Sequence, residues 1–296
     1  MAERKTILNL DENVLEGLNF FLGQKLPTIN INKKDKMVIV GSGNALAVGR
    51  ILFRDYDVEY ADEGNYLRKL DKVGKGVCYV ISASGGKHSP AICRIAKSRG
   101  FRVILLTNNQ QGLAMKYADE SLVFGKIEEP YTYNFSTYMG MILSQTKEKP
   151  QKILENVKEL EKNIPKNLGK YKSFYFILPS KFDFIKEMFR TKFDELFGPK
   201  LGVRLYTLQQ TKHAKTIVSD DKELFISMGD KNNIFGKNRW NVDLDDKIEC
   251  GEFIALMYFI IGKIQKANKP YFKENIAQYV KQSSKIFNQR IETVVK

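Results

Sequence analysis

Two serines and two glycines set between an apolar run and a helix start form the first constellation able to do chemistry. Val77, Tyr79, Val80 and Ile81 lead into Ser82-Ala83-Ser84-Gly85-Gly86, and Lys87-His88-Ser89-Pro90 follows. The apolar run fits a buried strand and the serine-glycine stretch a tight loop. Pro90 stands at a first-turn position, where its missing N–H costs nothing, and apolar residues recur at Ala91, Ile92, Ile95 and Ala96 before Gly100. The free N–H groups of a first helical turn, the glycine-loop amides and the serine hydroxyls converge on one point of partial positive charge, which suits an anion such as phosphate. The Lys87 ammonium adds a full charge there. A serine-rich turn that only caps a helix has the same composition.

A second loop of similar make-up, Gly41-Ser42-Gly43-Asn44, ends an apolar run over residues 37–40 and precedes Ala45, Leu46, Val48, Gly49 and Leu52, which read as a helix. Its glycine spacing is not Gly-x-Gly-x-x-Gly, so the pyrophosphate approach of a dinucleotide site is not encoded. Two such loops at the carboxyl ends of parallel strands line one crevice. Further on, Ser136 and Thr137 open a helix, where they read equally as an N-cap pair. Residues 182–197 form a helix with the stripe Phe182, Ile185, Phe189, Phe193 and Leu196, and Lys192 and Glu195 lie three apart beside it. By spacing alone that pair reads as a surface ion pair. A strand over residues 203–208 then runs into Gln209-Gln210-Thr211-Lys212-His213, which holds one of the chain's two histidines.

Ser82-x-Ser84-Gly85, a helix ending in Arg99-Gly100 and an apolar strand closing on Thr107 resemble the sugar isomerase (SIS) superfamily, whose loop usually reads Ser-x-Ser-Gly-x-Thr-x-Glu/Asp. Lys87 takes the place of the threonine and Ser89 that of the acid. Lys192-Phe193-Asp194-Glu195 followed by a strand and Lys212-His213 is similar, in order and kind, to the double-SIS phosphosugar isomerases. Gln210 stands where an acid often precedes the histidine. The resemblance implies a sugar-phosphate site at Gly41, Ser42, Gly43, Ser82, Ser84, Gly85, Gly86 and Lys87, with Ser136 and Thr137 near the sugar. It implies aldose-ketose isomerisation, with Glu195 moving a proton through an enediol, His213 opening the ring and Lys192 stabilising a negative oxygen. It also implies a homodimer in which His213 serves a neighbouring subunit, and gives Arg290 of the tail as a basic residue entering the site. A sugar-phosphate sensor without turnover, or an amino-sugar phosphate deaminase, is the alternative.

The elements that must position these residues follow a strand-helix rhythm that begins twice. The expected fold is α/β: two flavodoxin-like units, each a parallel sheet flanked by helices. An N-terminal helical segment over residues 1–35, with Asp11 as N-cap, precedes a first unit over 36–150. A linker helix over 151–170, most of it in a charged helix read over 150–168, leads to a second unit over 171–296 with C-terminal helices and tail. The second unit has Ile226-Ser227-Met228-Gly229-Asp230 in place of the Ser-x-Ser-Gly loop, so one sugar-phosphate site per chain is expected.

At 296 residues and 43% hydrophobic content the chain has enough apolar mass for two cores. The net charge of +14 favours anionic ligands, but lysines and arginines alternate with acids along the helices, which argues against nucleic acid as the main partner. Cys78, Cys93 and Cys250 lack metal-ligand spacing, so no metal or other cofactor is expected and the three thiols suggest a reducing cytosol. The longest apolar run, 253–262, is too short to span a bilayer, and a cytoplasmic protein without a membrane partner is expected.

Overall fold

The computed structural model describes residues 7–215 and 217–295; residues 1–6 of the expected N-terminal segment, Thr216 and Lys296 lie outside them. Helix α1 (Leu10–Phe21) comes first, with Leu10, Val14, Leu18 and Phe21 buried along one side. Its N-cap is Asn9, whose N–H donates to the Glu12 carboxylate at 2.8 Å, rather than Asp11. Asp11 falls inside the first turn, where its carboxylate is buried and pairs with Lys263 at 3.1 Å.

The first unit then runs β1 (Met37–Gly41), α2 (Asn44–Leu52), β2 (Glu59–Ala61), α3 (Tyr66–Val73), β3 (Val77–Ile81), α4 (Ser89–Ser98), β4 (Arg102–Thr107) and β5 (Glu120–Val123). Its sheet has the order β2-β1-β3-β4-β5, all parallel, which is the flavodoxin order. Every residue of β1 and β3 is buried. Strands covered on both faces can be apolar at every position, and these are. A short strand β6 (Glu129–Pro130), α5 (Phe135–Thr146) and α6 (Pro150–Lys162) follow. The last of these ends at Lys162, short of the expected 168.

After these come β7 (Ser173–Leu178), α7 (Lys186–Phe197), β8 (Gly202–Thr207), α8 (Leu208–His213), β9 (Glu223–Met228), β10 (Asn238–Val242), α9 (Cys250–Lys266), α10 (Tyr271–Ile286) and β11 (Val294–Val295), the last pairing antiparallel with β6. The apolar stripe read as one helix is split, since residues Ser180–Ile185 form a 3-10 segment and α7 starts at Lys186. Gln209 to His213, expected only to follow a strand, lie within α8. The second sheet, β10-β9-β7-β8, is also parallel and repeats the flavodoxin order with one strand fewer. Between β9 and β10 the chain makes no helix. The counterpart of the Ser82 loop therefore opens onto no helix N-terminus, which removes the anion site on physical grounds.

One apolar core joins the inner faces of both sheets with α1, α5, α7 and α9. Helices α1 and α9 approach so closely that a Cβ on Gly262 would overlap the Asp11 backbone nitrogen and lie 2.6 Å from its Cα. Neither helix backbone is free to move, so Gly262→Ala is expected to destabilise the fold by about 3 kcal/mol, read as a lower denaturation midpoint at unchanged m-value. A midpoint within error of the parent would show that the two helices are not locked together. The outer face of the second sheet carries only a small cluster of Tyr175, Ile177, Phe225 and Phe235, with Tyr175 stacked on Phe225 at 4.5 Å.

Candidate active site

The Ser82 loop leaves the end of β3 at the middle of the first sheet and turns into α4. Thr107 Oγ1 and the Asn108 N–H both donate to the Ala83 carbonyl, at 3.1 and 3.0 Å, and Ala114 donates to the Gly85 carbonyl at 2.8 Å. Ser84 Oγ accepts the Gly86 N–H at 3.2 Å, which leaves its own proton free to be donated. Ser89, at the position of the family acid, is buried and donates to the Gly86 carbonyl at 2.7 Å, so it shapes the loop from within. Gly85 has φ +60°, and a Cβ there would lie 2.9 Å from the Gly112 Cα. Gly85→Ala is expected to combine left-handed strain of about 1 kcal/mol with that clash and so to displace the loop. Calorimetry with a sugar phosphate should show affinity falling at least about tenfold. An unchanged affinity would mean that the loop does not hold the anion.

Beside it, Gly41 ends β1 and Gly43, at φ +55°, is the N-cap of α2. Ser42 binds the side chain of Glu63. Burial raises the Glu63 carboxyl, but the Ser42 hydroxyl, its own backbone N–H and the nearby His88 outweigh this and hold it below its ordinary value. Lys87 has φ +52°, and its ammonium lies 4.0 Å from the Phe287 ring centre and 5.9 Å from that of Tyr131. Burial lowers its pKa, so a bound anion would find a poorly hydrated cation. Lys126 is likewise lowered by burial, against the pull of Glu129 and Glu128, and it donates to the Val295 carbonyl at 2.8 Å.

Glu195 lines the same cavity as these loops, from the last turn of α7. Its side chain is 16% exposed and accepts from Lys192 Nζ at 2.7 Å. Burial pushes the Glu195 carboxyl above its ordinary value although Lys192 pulls it down. Three tyrosines of the same cavity, Tyr131, Tyr138 and Tyr279, feel the Glu195 charge. Lys192 is 0% exposed and lies behind Glu195, where it donates to the Thr132 carbonyl and sits 5.5 Å from the Tyr258 ring centre.

The loops, Glu195, α10 and the tail enclose a cavity of about 710 Å³ at the carboxyl edge of the first sheet. Gly41, Ser42, Gly43, Ser82, Ser84, Gly86, Lys87, Thr137, Glu195 and Arg290 line it, while Gly85 lies just beneath the loop surface. Arg290 projects from the tail, 89% exposed and 3.4 Å from Glu292. Three expected residues are elsewhere. Ser136 is fully buried and its Oγ accepts the Ile127 N–H. Lys192 is sealed behind Glu195, so it cannot meet a substrate oxygen as expected. His213 is exposed at the end of α8 and does not line the cavity of its own chain.

Sequence reasoning missed Glu129. Its buried carboxylate accepts the N–H groups of Phe135, Ser136 and Thr137, at 3.1, 3.2 and 2.9 Å, and the Thr137 hydroxyl at 2.5 Å. The N-terminus of α5 is thus filled by the protein's own anion. An acid upstream of a helix start was visible as Glu128-Glu129, but a cap that reaches across six residues has no fixed spacing. The tyrosine wall was missed too, because its members come from separate segments of the chain, the turn after β6, α5 and α10.

No family model matches this chain, and no curated protein matches it in sequence. Its fold does match solved structures. Glucosamine-6-phosphate deaminase from Thermotoga maritima is 15% identical, covers 87% of this chain and 91% of its own, and superposes with a TM-score of 0.61. For tagatose-6-phosphate ketose/aldose isomerase from Escherichia coli the values are 11%, 87%, 86% and 0.58. For the C-terminal domain of glucosamine-fructose-6-phosphate aminotransferase from Francisella tularensis they are 10%, 86%, 92% and 0.56. The chain therefore has the sugar isomerase fold, with two parallel sheets flanked by helices. No helix among the described residues is long and apolar enough to cross a membrane.

Proposed function

We propose that this protein is a sugar-phosphate isomerase that interconverts an aldose and a ketose phosphate. The observation that carries the reading is that the Ser82 loop at the start of α4 and a largely buried carboxylate, pushed by burial above its ordinary pKa, line one cavity of about 710 Å³. The phosphate would sit at the N-terminus of α4, held by the Ser82 and Ser84 hydroxyls, the loop amides and Lys87. Thr137, Arg290 and the Gly41-Ser42-Gly43 loop are left for the sugar hydroxyls.

In an aldose phosphate, Glu195 takes the proton from C2 as the electron pair forms a C1=C2 enediol and O1 gains a proton. Return of the proton to C1 and loss of the one on O2 complete the ketose, with no net redox change. A base raised by burial above the ordinary carboxylate value suits this transfer better than an ordinary carboxylate. Lys192, from behind, fixes the carboxylate and keeps a share of it ionised. Ring opening needs a second acid-base group. We assign it to His213 of a neighbouring copy, which makes the active form a homodimer.

The test is hydrogen-deuterium exchange at sugar carbons, followed by NMR in heavy water across hexose, pentose and hexosamine phosphates. Exchange at C1 or C2 is the expected result and names the sugar. The distance of His213 from its own cavity favours one other reading, a sensor that binds without turnover. Binding of those phosphates with every carbon-bound hydrogen retained would establish the sensor in place of the isomerase.

A further inference from the structure

The second sheet ends at β10, and a groove of about 630 Å³ runs beside that edge. Six consecutive residues, Trp240 to Asp245, form one side of it, with α6 and the start of α9 opposite. Gly229 donates to the Val242 carbonyl at 2.8 Å, so the backbone groups of Trp240 and Val242 face β9. Those of Arg239 and Asn241 consequently face outward, as on any edge strand. At about 3.3 Å per residue, the five residues of β10 make an edge of about 16 Å, the length of an ordinary strand.

The groove is also charged against the rest of the molecule. Glu159, Asp243, Asp245 and Glu252 line it with Lys152 as the one base, in a chain of net charge +14. Glu252 accepts from Asn156 at 2.6 Å, and burial, with Glu148 and Asp245 nearby, raises its carboxyl. Glu159 shares its charge with Lys162 at 2.6 Å on an exposed face.

We propose that the open edge of β10 is a docking site for an extended, lysine- or arginine-bearing peptide segment of a partner protein. The segment adds a strand beside β10 and sets its cationic side chains against the acidic walls. A basic segment is repelled by most of this surface and attracted here, which supplies selectivity. A second copy is the wrong occupant for a symmetric pairing, because two β10 edges would bring their acidic walls face to face.

The probes are capped hexapeptides of alternating lysine and valine, or glutamate and valine, titrated into the full chain. The basic peptide should bind at least about tenfold more tightly than the acidic one and slow exchange of the Arg239 and Asn241 amides. The double variant E159K/D243K should invert the preference between the two peptides. Asn241→Pro removes an outward N–H while leaving the β9 side intact, and should weaken the basic peptide about tenfold. Equal binding of both peptides, binding of neither, or binding without protection of those amides would overturn the proposal. So would self-association seen by light scattering that E159K/D243K abolishes, since that would assign the edge to a second copy.

Discussion

Glu195→Gln is expected to lower hydrogen exchange at C1 and C2 of the substrate by about 10²- to 10⁴-fold while sugar-phosphate affinity stays within a few-fold. The amide has the shape of the carboxylate, and its oxygen still accepts from Lys192, so the wall of the cavity keeps its form. It cannot take a proton from carbon. The phosphate end, at the N-terminus of α4, is built from a different segment of chain and keeps its contacts. Calorimetry measures the second half of the expectation and NMR the first. If exchange persists at the parental rate, the base is another carboxylate of the cavity, and the exposed Glu63 and the buried Glu129 are the acids to test first. Glu129 is the poorer of the two as a base, because four hydrogen bonds to the start of α5 already occupy its oxygens.

The first unit was legible because its signals are local. A run of apolar residues, a Ser/Gly loop and a helix start within about twenty residues placed β3, the loop and α4, and the same grammar placed β1 and α2. The second unit kept the rhythm, and its missing anion loop could be read from Ile226-Ser227-Met228-Gly229, since neither a hydroxyl pair nor a helix start follows. What local reading cannot supply is depth. Lys192 and Glu195 have the spacing of any surface pair, and nothing near them shows that Thr132, sixty residues earlier, will accept the lysine's proton. Asp11 has the chemistry of an N-cap, yet Asn9 wins because Glu12 is then placed to answer its N–H. His213 marks the same limit from the other direction. Its neighbours in sequence suggested a catalytic residue, and only the fold shows that it does not line the cavity that holds Glu195 in its own chain.

The burial of Lys192 gives the second large effect. Lys192→Met should leave a hydrophobic side chain of similar length among Tyr258, Thr132 and Glu195 while removing the cation that pulls the Glu195 carboxyl down. With burial unopposed, that carboxyl rises further. A group that must be ionised to act is then protonated over a wider range, so the acid limb of the kcat/KM profile moves to higher pH. The linkage has a definite sign. A carboxyl raised in the folded state binds more protons there than in the unfolded chain, so stability is fully present below the unfolded value of about 4.5 and declines as pH rises toward the folded one. In Lys192→Met this decline extends to higher pH. At pH 8, where Glu195 would be an unpaired buried anion, the loss should approach about 3 kcal/mol, whereas at pH 5 protonation relieves most of it. Denaturant titrations of parent and variant at both pH values measure the difference directly. A lysine that served only to pack would give the same loss at each pH and leave the acid limb in place, and that pair of results would return Lys192 to a purely structural part.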